Sequence, residues 1–191
     1  MLRIMKVNHF DTETTGLDAV KNDIIQIAGI IEIDGEVMEE FHFKCQPHSY
    51  ENISPQALKI NGYTVEQLKT FEDPHVIHKK LVDIFSKYID KYDREDKFYP
   101  AGQNIRFDMG FLKEFFAKCG DPYYGSWFNY DALDLLGLSA LLRYKGRLDV
   151  ENLKLGTLAK HLGVELKAHD AVEDIRATRI ILNKLLDTHI K

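Results

Sequence analysis

A tight β-hairpin is the sequence feature that most constrains how this chain can fold. Asp34-Gly35 lies between two runs rich in β-branched and aromatic residues, 24–33 and 36–45. Asp-Gly between two such runs is typical of a type I′ turn, which pairs the flanking strands in antiparallel fashion. An earlier apolar run over residues 4–12 predicts a third strand. The chain is therefore expected to begin with a sheet.

Helices and further strands are expected over the rest of the chain. Pro follows both Ser54 and Asp73, and an N-cap residue before Pro predicts helices over 54–60 and 74–91. Thr64 and Gln67 fit a capping box between them. The remaining pattern predicts strands at 97–101 and 127–130, and helices at 106–118, 132–144, 151–162 and 170–188. Strands first, then strands alternating with helices, predict an α/β fold with one mixed sheet covered by helices.

Composition limits the classes of protein to which the chain can belong. Its 191 residues predict a single domain, 1–191. A mean hydropathy of -0.29, without an apolar run near the roughly 20 residues of a membrane span, argues against a membrane partner. The start of the chain lacks the apolar stretch of a secretory signal, and two cysteines cannot form a framework of disulfides. We therefore expect a cytoplasmic protein.

The net charge argues against one kind of nucleic-acid binding. A net charge of -5 is unlike that of proteins that coat long stretches of duplex through phosphate contacts. It still allows a site that grips one or two nucleotides, particularly if bound metal ions supply positive charge.

Two acids share a face at the end of the first predicted strand. Because side chains alternate along a strand, Asp11 and Glu13 point the same way, roughly 6.6 Å apart. Asp-x-Glu also occurs at 34–36 and 93–95, so the spacing alone fits a solvated loop as well. Here, however, the pair ends an apolar strand and leads into Thr14-Thr15-Gly16, a small polar turn that lets backbone approach a ligand.

A third acid occupies a core-facing position of the helix predicted at 106–118. The apolar stripe of this helix, extended toward its N-terminus in steps of three or four residues, includes Asp108. Asn104 lies one turn earlier on the same face. A buried carboxylate must be neutralised by a cation, a metal or a proton. The alternatives are a wet helix end or a pair with Arg106.

The last predicted helix repeats this pattern with Asp174. The acid falls inside the apolar stripe of that helix, whereas His169 lies about 140° away around it and is therefore assigned to the preceding loop. Four acids thus come from three elements, each on a face where the fold would favour an apolar group. Such hard oxygen ligands suit two divalent cations, Mg²⁺ or Mn²⁺, and a neutral imidazole can take a proton from water.

Three segments carry a family resemblance that covers nearly the whole chain. They are Phe10-Asp11-Thr12-Glu13-Thr14-Thr15-Gly16-Leu17, Gly102-Gln103-Asn104-Ile105-Arg106-Phe107-Asp108 and His169-Asp170-Ala171-Val172-Glu173-Asp174. In this order they resemble the motifs of the DnaQ-like DEDD superfamily of 3′-5′ exonucleases, subgroup DEDDh. Residues 53–62 also resemble the segment that follows the third strand in proofreading members.

The resemblance implies a fold, a reaction and a set of residue roles. It implies an RNase H-like mixed five-stranded sheet and the release of nucleoside 5′-monophosphates from the 3′ end of single-stranded DNA or RNA. Asp11, Glu13 and Asp174 would hold one metal, Asp11 and Asp108 the second, and His169 would act as general base. The substrate-binding residues implied in this way are Thr12, Thr14, Thr15, Gly16, Leu17, Ile60, Asn61, Asn104 and Phe107.

Two other functions stay open beside an active exonuclease. One is a proofreading or accessory subunit whose partner is a DNA polymerase, and the other is a silent nucleic-acid-binding scaffold of the same fold. Such scaffolds usually lose a metal-binding acid or the histidine, and all five residues are present here. A basic stretch, 143–147, could guide a strand or could be a solvated helix end.

Overall fold

A five-stranded mixed sheet forms the centre of the computed structural model, which describes residues 4–166 and 171–189. The strands are β1 (Lys6–Thr14), β2 (Ile24–Ile33), β3 (Glu36–Lys44), β4 (Tyr99–Gly102) and β5 (Leu133–Asp134). Their spatial order is β3-β2-β1-β4-β5, with β1, β2 and β3 antiparallel and β4 and β5 parallel to β1. The expected mixed five-stranded sheet is confirmed.

The predicted hairpin joins β2 to β3. Asp34 and Gly35 both have positive φ, 50° and 88°, as a type I′ turn requires. The pairing places Gln26 and Ala28 of β2 directly opposite Glu13 and Asp11 of β1. Residues that face each other in this way lie on the same side of the sheet.

Seven α-helices cover the sheet within the described residues. They are α1 (Pro55–Asn61), α2 (Val65–Leu68), α3 (Pro74–Phe85), α4 (Ile105–Lys118), α5 (Leu135–Tyr144), α6 (Leu155–Leu162) and α7 (Ala171–His189). The predicted caps are confirmed: Ser54 accepts the N–H of Ala57, Asp73 accepts the N–H of His75, and Thr64 and Gln67 form the capping box. None of these helices has the length and apolarity of a membrane-spanning segment.

The two faces of the sheet are covered differently. The face of Phe10 packs against α3 and α4 in a large core, which includes Leu81 and Leu112. The opposite face, where Asp11 lies, receives α7 through small residues such as Ala28 and Ala171. The fold therefore brings α7 close to the backbone of β1 and β2.

A partly buried ion pair fastens α7 to this face. Arg179 donates to the carboxylate of Glu32 on β2 and to the carbonyl oxygen of Gly35, and His9 Nε2 lies 3.6 Å from Glu32. The Glu32 residue is only 8% exposed. The pKa of Glu32 is lowered, first by the contact with His9 and then, against the effect of burial, by Arg179. A one-turn shift of α7 would leave this carboxylate buried without its cation.

The fifth strand lies later in the chain than predicted. Residues 127–130 form only one isolated bridge, between Phe128 and Phe98, and the strand is β5 instead. Trp127 and Phe128 are both buried, and Phe128 packs against the rings of Phe10 and Phe85. Aromatic packing therefore takes precedence over the β propensity of these residues.

Three predicted helix bounds were also wrong. Helix α3 ends at Phe85 rather than 91, because Ser86 bonds back to the carbonyl of Val82 and the chain then turns to bury Ile89. Helix α5 begins after β5, where Asp134 caps it. Helix α6 begins at Leu155 rather than 151, since the Asn152 side chain accepts the N–H of Lys154 in a turn.

We expect Arg179→Met to destabilise the protein by about 2–3 kcal/mol, because it leaves the buried carboxylate of Glu32 without its guanidinium. Urea unfolding at pH 7 measures the change. Because the folded pKa of Glu32 is lowered, the contribution is lost as pH falls through that value, and the two proteins should converge in acid. The control is Arg176→Met, whose exposed pair with Glu40 should contribute under about 1 kcal/mol. Equal losses in both variants would contradict this role of Glu32.

Candidate active site

Two of the predicted acids lie inside β1. The strand continues to Thr14, two residues beyond the predicted end, so Asp11 and Glu13 are held by strand pairing with β2 rather than by a loop. Both side chains are partly buried, on the face covered by α7. The solvated-loop interpretation of this pair is wrong.

Asp108 is a buried carboxylate held by β1. It lies in the first turn of α4, is 4% exposed, and accepts two hydrogen bonds at Oδ1 from Thr12, at 3.0 Å from the backbone N–H and 2.7 Å from the hydroxyl. The last paired residues of β1 and β4 are His9 and Ala101. The backbone N–H of Thr12 lies beyond this pair, and the carboxylate of Asp108 accepts it. Neither a wet helix end nor a pair with Arg106 describes it.

Asp174 approaches from the other face of the sheet. It lies in the first turn of α7, directly before Ile175, whose side chain packs against Ala28 and Ile30 of β2. Since Ala28 is paired with Asp11, this packing brings the fourth acid to the strand that holds the first two. Acids from β1, α4 and α7 therefore meet at one end of the sheet.

The protonation equilibria reflect this crowding. The pKa of Asp11 is raised well above its ordinary value, first by enclosure within the protein and then by the negative charges of Asp108, Glu13 and Asp174. Burial also raises the pKa of Asp108, to about 7, against the opposing effect of the hydrogen bonds from Thr12. The four carboxyl groups are therefore electrostatically coupled.

The four carboxylates have the chemistry of a divalent-cation site. Carboxylate oxygens are the ligands that Mg²⁺ and Mn²⁺ prefer, and a bound cation would offset the charges that raise the pKa of Asp11. Across residues 4–166 and 171–189, however, no three His, Cys, Asp or Glu side chains form an assembled metal-ligand group. Asp108 in particular is turned toward Thr12 by two hydrogen bonds.

His169, the predicted general base, and Asp170, the predicted cap of the last helix, lie outside the described residues. Their roles stay predictions from the sequence.

A cavity of about 220 Å³ opens beside the acids. It lies between the segment that follows β1 and helix α1. Its lining residues are Thr14, Gly16, Leu17, Ser54, Gln56, Ala57, Ile60 and Asn61. Five of them were predicted as substrate-binding residues, whereas Ser54, Gln56 and Ala57 were not.

Hydrogen bonds to backbone carbonyls join the two walls of this cavity. The side chain of Asn61 donates to the carbonyl of Thr14 at 2.9 Å, and the N–H of Ser54 donates to the carbonyl of Thr15 at 2.8 Å. The Asn22 side chain packs directly against Gly16, where any Cβ would overlap it. The walls are therefore held at a fixed separation.

The rim of the cavity is apolar and open to solvent. Leu17 is 87% exposed and Ile60 is 62% exposed. Large apolar side chains exposed on both walls of one cavity are typical of a surface that receives an aromatic or apolar ligand.

The other predicted substrate-binding residues do not line the cavity. Thr12 is buried against Asp108, and Thr15 braces the loop by accepting the N–H of Asp23 at its hydroxyl. Asn104 does not lie on the buried face of α4. It is the exposed N-cap, with a φ of 58°, and its N–H donates to Asp134. Phe107 is partly buried and packs on Phe111, with ring centroids 4.8 Å apart.

The basic stretch at 143–147 lies at the end of α5, with exposed side chains. The ammonium of Lys145 lies 5.5 Å from the ring centroid of its neighbour Tyr144.

Sequence comparison gives a consistent family assignment. A family model described as RNase T exonuclease matches residues 9–182. A PolC-type DNA polymerase III from Halalkalibacterium halodurans is 33% identical over 178 residues, and one from Bacillus cereus is 29% identical over 178 residues. Each match covers 93% of this chain and 11% of the relative, so the chain spans about one ninth of the curated relatives it matches.

Solved structures with the same fold include exonuclease I. The E. coli enzyme in complex with a dA16 oligonucleotide has a TM-score of 0.76 at 24% identity, covering 96% of this chain and 41% of that one. Exonuclease I from Methylocaldum szegediense has a TM-score of 0.79 at 23% identity, covering 97% of this chain and 41% of that one. These similarities confirm the expected RNase H-like fold.

We expect Asp108→Asn to stabilise the metal-free protein as pH rises. A carboxyl whose folded pKa is raised, here to about 7, contributes stability below its unfolded pKa and loses that contribution as pH rises through 7. In EDTA, the variant should therefore gain on the wild type by about 2–3 kcal/mol between pH 5 and 8, at about 1.4 kcal/mol per pKa unit. The measurement is denaturant unfolding at each pH, with Asp93→Asn at an exposed position as the control. A constant difference across this range would contradict the coupling.

Proposed function

Because the chain belongs to the RNase T exonuclease family, we propose that it is a 3′-5′ exonuclease that releases nucleoside 5′-monophosphates from single-stranded DNA. Membership in this family supports a nuclease activity. One observation favours attack at an end: helix α1 forms one wall of the cavity beside the acids, so a strand terminus can enter it against this wall. We propose that residues 1–191 act as one exonuclease domain.

Four carboxylates are proposed to hold two divalent cations, Mg²⁺ or Mn²⁺. The ligands would be Asp11, Glu13 and Asp174 for one ion and Asp11 and Asp108 for the other. When bound, two such ions offset charge on the attacking and leaving oxygens of a phosphodiester. The effect of these acids on the pKa of Asp11 supports the proposal, because their negative charges repel one another and bound cations would offset them.

The residues of the chain would then orient the substrate and move the proton. The terminal nucleotide enters the cavity between Leu17 and Ile60, which places its 5′ phosphate next to β1. Water attacks the phosphorus, the bond to the 3′ oxygen of the preceding nucleotide breaks, and that oxygen takes a proton from solvent to become the new 3′ hydroxyl. His169 takes the proton of the attacking water.

The relatives favour DNA over RNA as substrate. Solved structures of E. coli exonuclease I contain dA16 and dT13 oligonucleotides, and the curated relatives are DNA polymerases. The second candidate function is an exonuclease that serves a DNA polymerase. The similarity of the chain to those polymerases favours it. Faster removal of a mismatched primer terminus when a polymerase is added would support it.

Asp11→Ala and Asp174→Ala should each lose divalent-dependent hydrolysis by orders of magnitude while the protein stays folded, because each removes a charged ligand from the cluster. The assay uses single-stranded DNA labelled at either end, with and without Mn²⁺. The 5′ label should give a ladder that shortens from the 3′ end, and the 3′ label should appear in mononucleotide. Asp93→Ala, from the exposed Asp-x-Glu at 93–95, is the matched control. Full activity in Asp11→Ala, or shortening from the 5′ end, would overturn the proposal.

His169→Ala should lose mainly kcat, by roughly 10²–10⁴-fold, with little change in metal affinity. Only a neutral imidazole accepts a proton, so the wild-type rate should rise with pH and then level off. His169→Gln should behave similarly, since an amide orients water but accepts no proton. The measurement is kcat and KM against pH at saturating Mg²⁺. A defect confined to metal binding would make His169 a ligand rather than a base.

A further inference from the structure

An exposed cation–aromatic pair lies near the start of α4. The guanidinium of Arg106 sits over the ring of Tyr130, 4.5 Å from its centroid. Tyr130 is 80% exposed and Arg106 is also exposed. Since one ring face meets the guanidinium, exposure of this degree leaves the other face open to solvent. Neither residue takes part in the cluster of acids or in the cavity.

Within the described residues, the guanidinium of Arg106 acts on the aromatic side chains of Tyr130 and Tyr124 rather than on a carboxylate. Among residues 4–166 and 171–189, no carboxylate forms an ion pair with this guanidinium, whereas Arg176 and Arg179 both pair with glutamates. In a chain with a net charge of -5, an exposed arginine in this position is available to an anionic ligand.

The position of the pair relative to the acids is defined by the sheet. Helix α1 and the cavity lie toward β2, because Leu58 of α1 packs against Ile25. The pair lies on the opposite side of β1, toward β5, where the N–H of Asn104 donates to Asp134. Asp108 and β1 separate the two. A strand whose last nucleotide occupies the cavity and whose scissile phosphate lies at the acids must leave on one side of them.

The order of these features favours the side of β5 for that exit. Because the last nucleotide occupies the cavity on the β2 side, the preceding nucleotides continue past the acids toward β5, where Arg106 is exposed. Resting on the proposed function, we propose that Arg106 and Tyr130 form a subsite for a nucleotide upstream of the scissile bond, in which an unpaired base stacks on this pair and its phosphate meets the guanidinium.

This subsite selects single strands by its chemistry. Stacking on an aromatic side chain is worth about 1–3 kcal/mol per base and tolerates any base, because every base has a π face. Arginine adds a planar cation that both stacks and contacts phosphate. Bases inside a duplex already stack on each other, so a paired strand cannot use Tyr130 without being opened.

The test is binding of fluorescent oligothymidylates, dT2 to dT8, measured by anisotropy in EDTA so that no hydrolysis is needed. Affinity of the wild type should rise once the strand is long enough to reach the pair. Tyr130→Ala should remove that rise, a loss of about 5- to 150-fold for dT8, since 1.4 kcal/mol is tenfold. Tyr130→Phe should retain it. Arg106→Gln should reduce the slope of log affinity against log salt by about 0.7.

A second exposed pair supplies the matched control. Lys91 lies 5.3 Å from the ring centroid of Tyr92, which is 85% exposed, and the Lys91 ammonium also lies 5.9 Å from the Trp127 ring. This pair is near the start of β4, at the opposite end of the sheet from the acids. Tyr92→Ala should therefore follow the wild-type length series.

The outcomes separate this inference from the proposed function. If the wild type degrades single strands but Tyr130→Ala follows the wild-type length series, the subsite is wrong and the exonuclease proposal stands. Equal losses in Tyr92→Ala and Tyr130→Ala would also overturn the subsite, as would an equal loss for blunt duplex. If the wild type neither binds nor degrades any oligonucleotide, both proposals fail.

Discussion

Repulsion among carboxylates at one end of β1 is the constraint that the other contacts must satisfy. Burial and neighbouring charges raise the pKa of Asp11, so these groups oppose the folded state at neutral pH. Contacts elsewhere hold the three elements together. Thr12 fixes Asp108, and the ion pair between Arg179 and Glu32 lies five residues beyond Asp174, about 7.5 Å along α7. The guanidinium of Arg179 therefore anchors α7, the helix that brings Asp174 to the site.

Local chemistry made much of the fold predictable. The Asp34-Gly35 turn and the caps at Ser54, Thr64 and Asp73 depend on residues within a few positions of each other, and each forms as expected. The segment at 127–130 was assigned wrongly because its conformation depends on distant partners. Phe128 packs against the rings of Phe10 and Phe85, contacts that no local pattern encodes.

The acids were predictable for a different reason from the residues around them. Asp108 and Asp174 interrupt apolar stripes, and a stripe has a period that can be read along one helix. The burial of Thr12 depends on where β4 ends beside β1, and the exposure of Asn104 depends on a left-handed backbone at the start of α4. The burial of Thr12 and the exposure of Asn104 thus depend on how two elements meet in the fold. A sequence motif that groups these residues with the acids does not contain this information.

An acidic chain can act on a polyanion only if attraction is local. The cluster of acids would by itself repel the phosphates of a strand. The attraction for the strand therefore has to come from residues on either side of this cluster. On one side the exposed side chains of Leu17 and Ile60 offer apolar contact to a base, which does not depend on charge. On the other side Arg106 is exposed over Tyr130. Both contacts would engage base faces, so the proposed arrangement favours an unpaired strand. This preference comes from local contacts and cannot be read from the net charge of the chain.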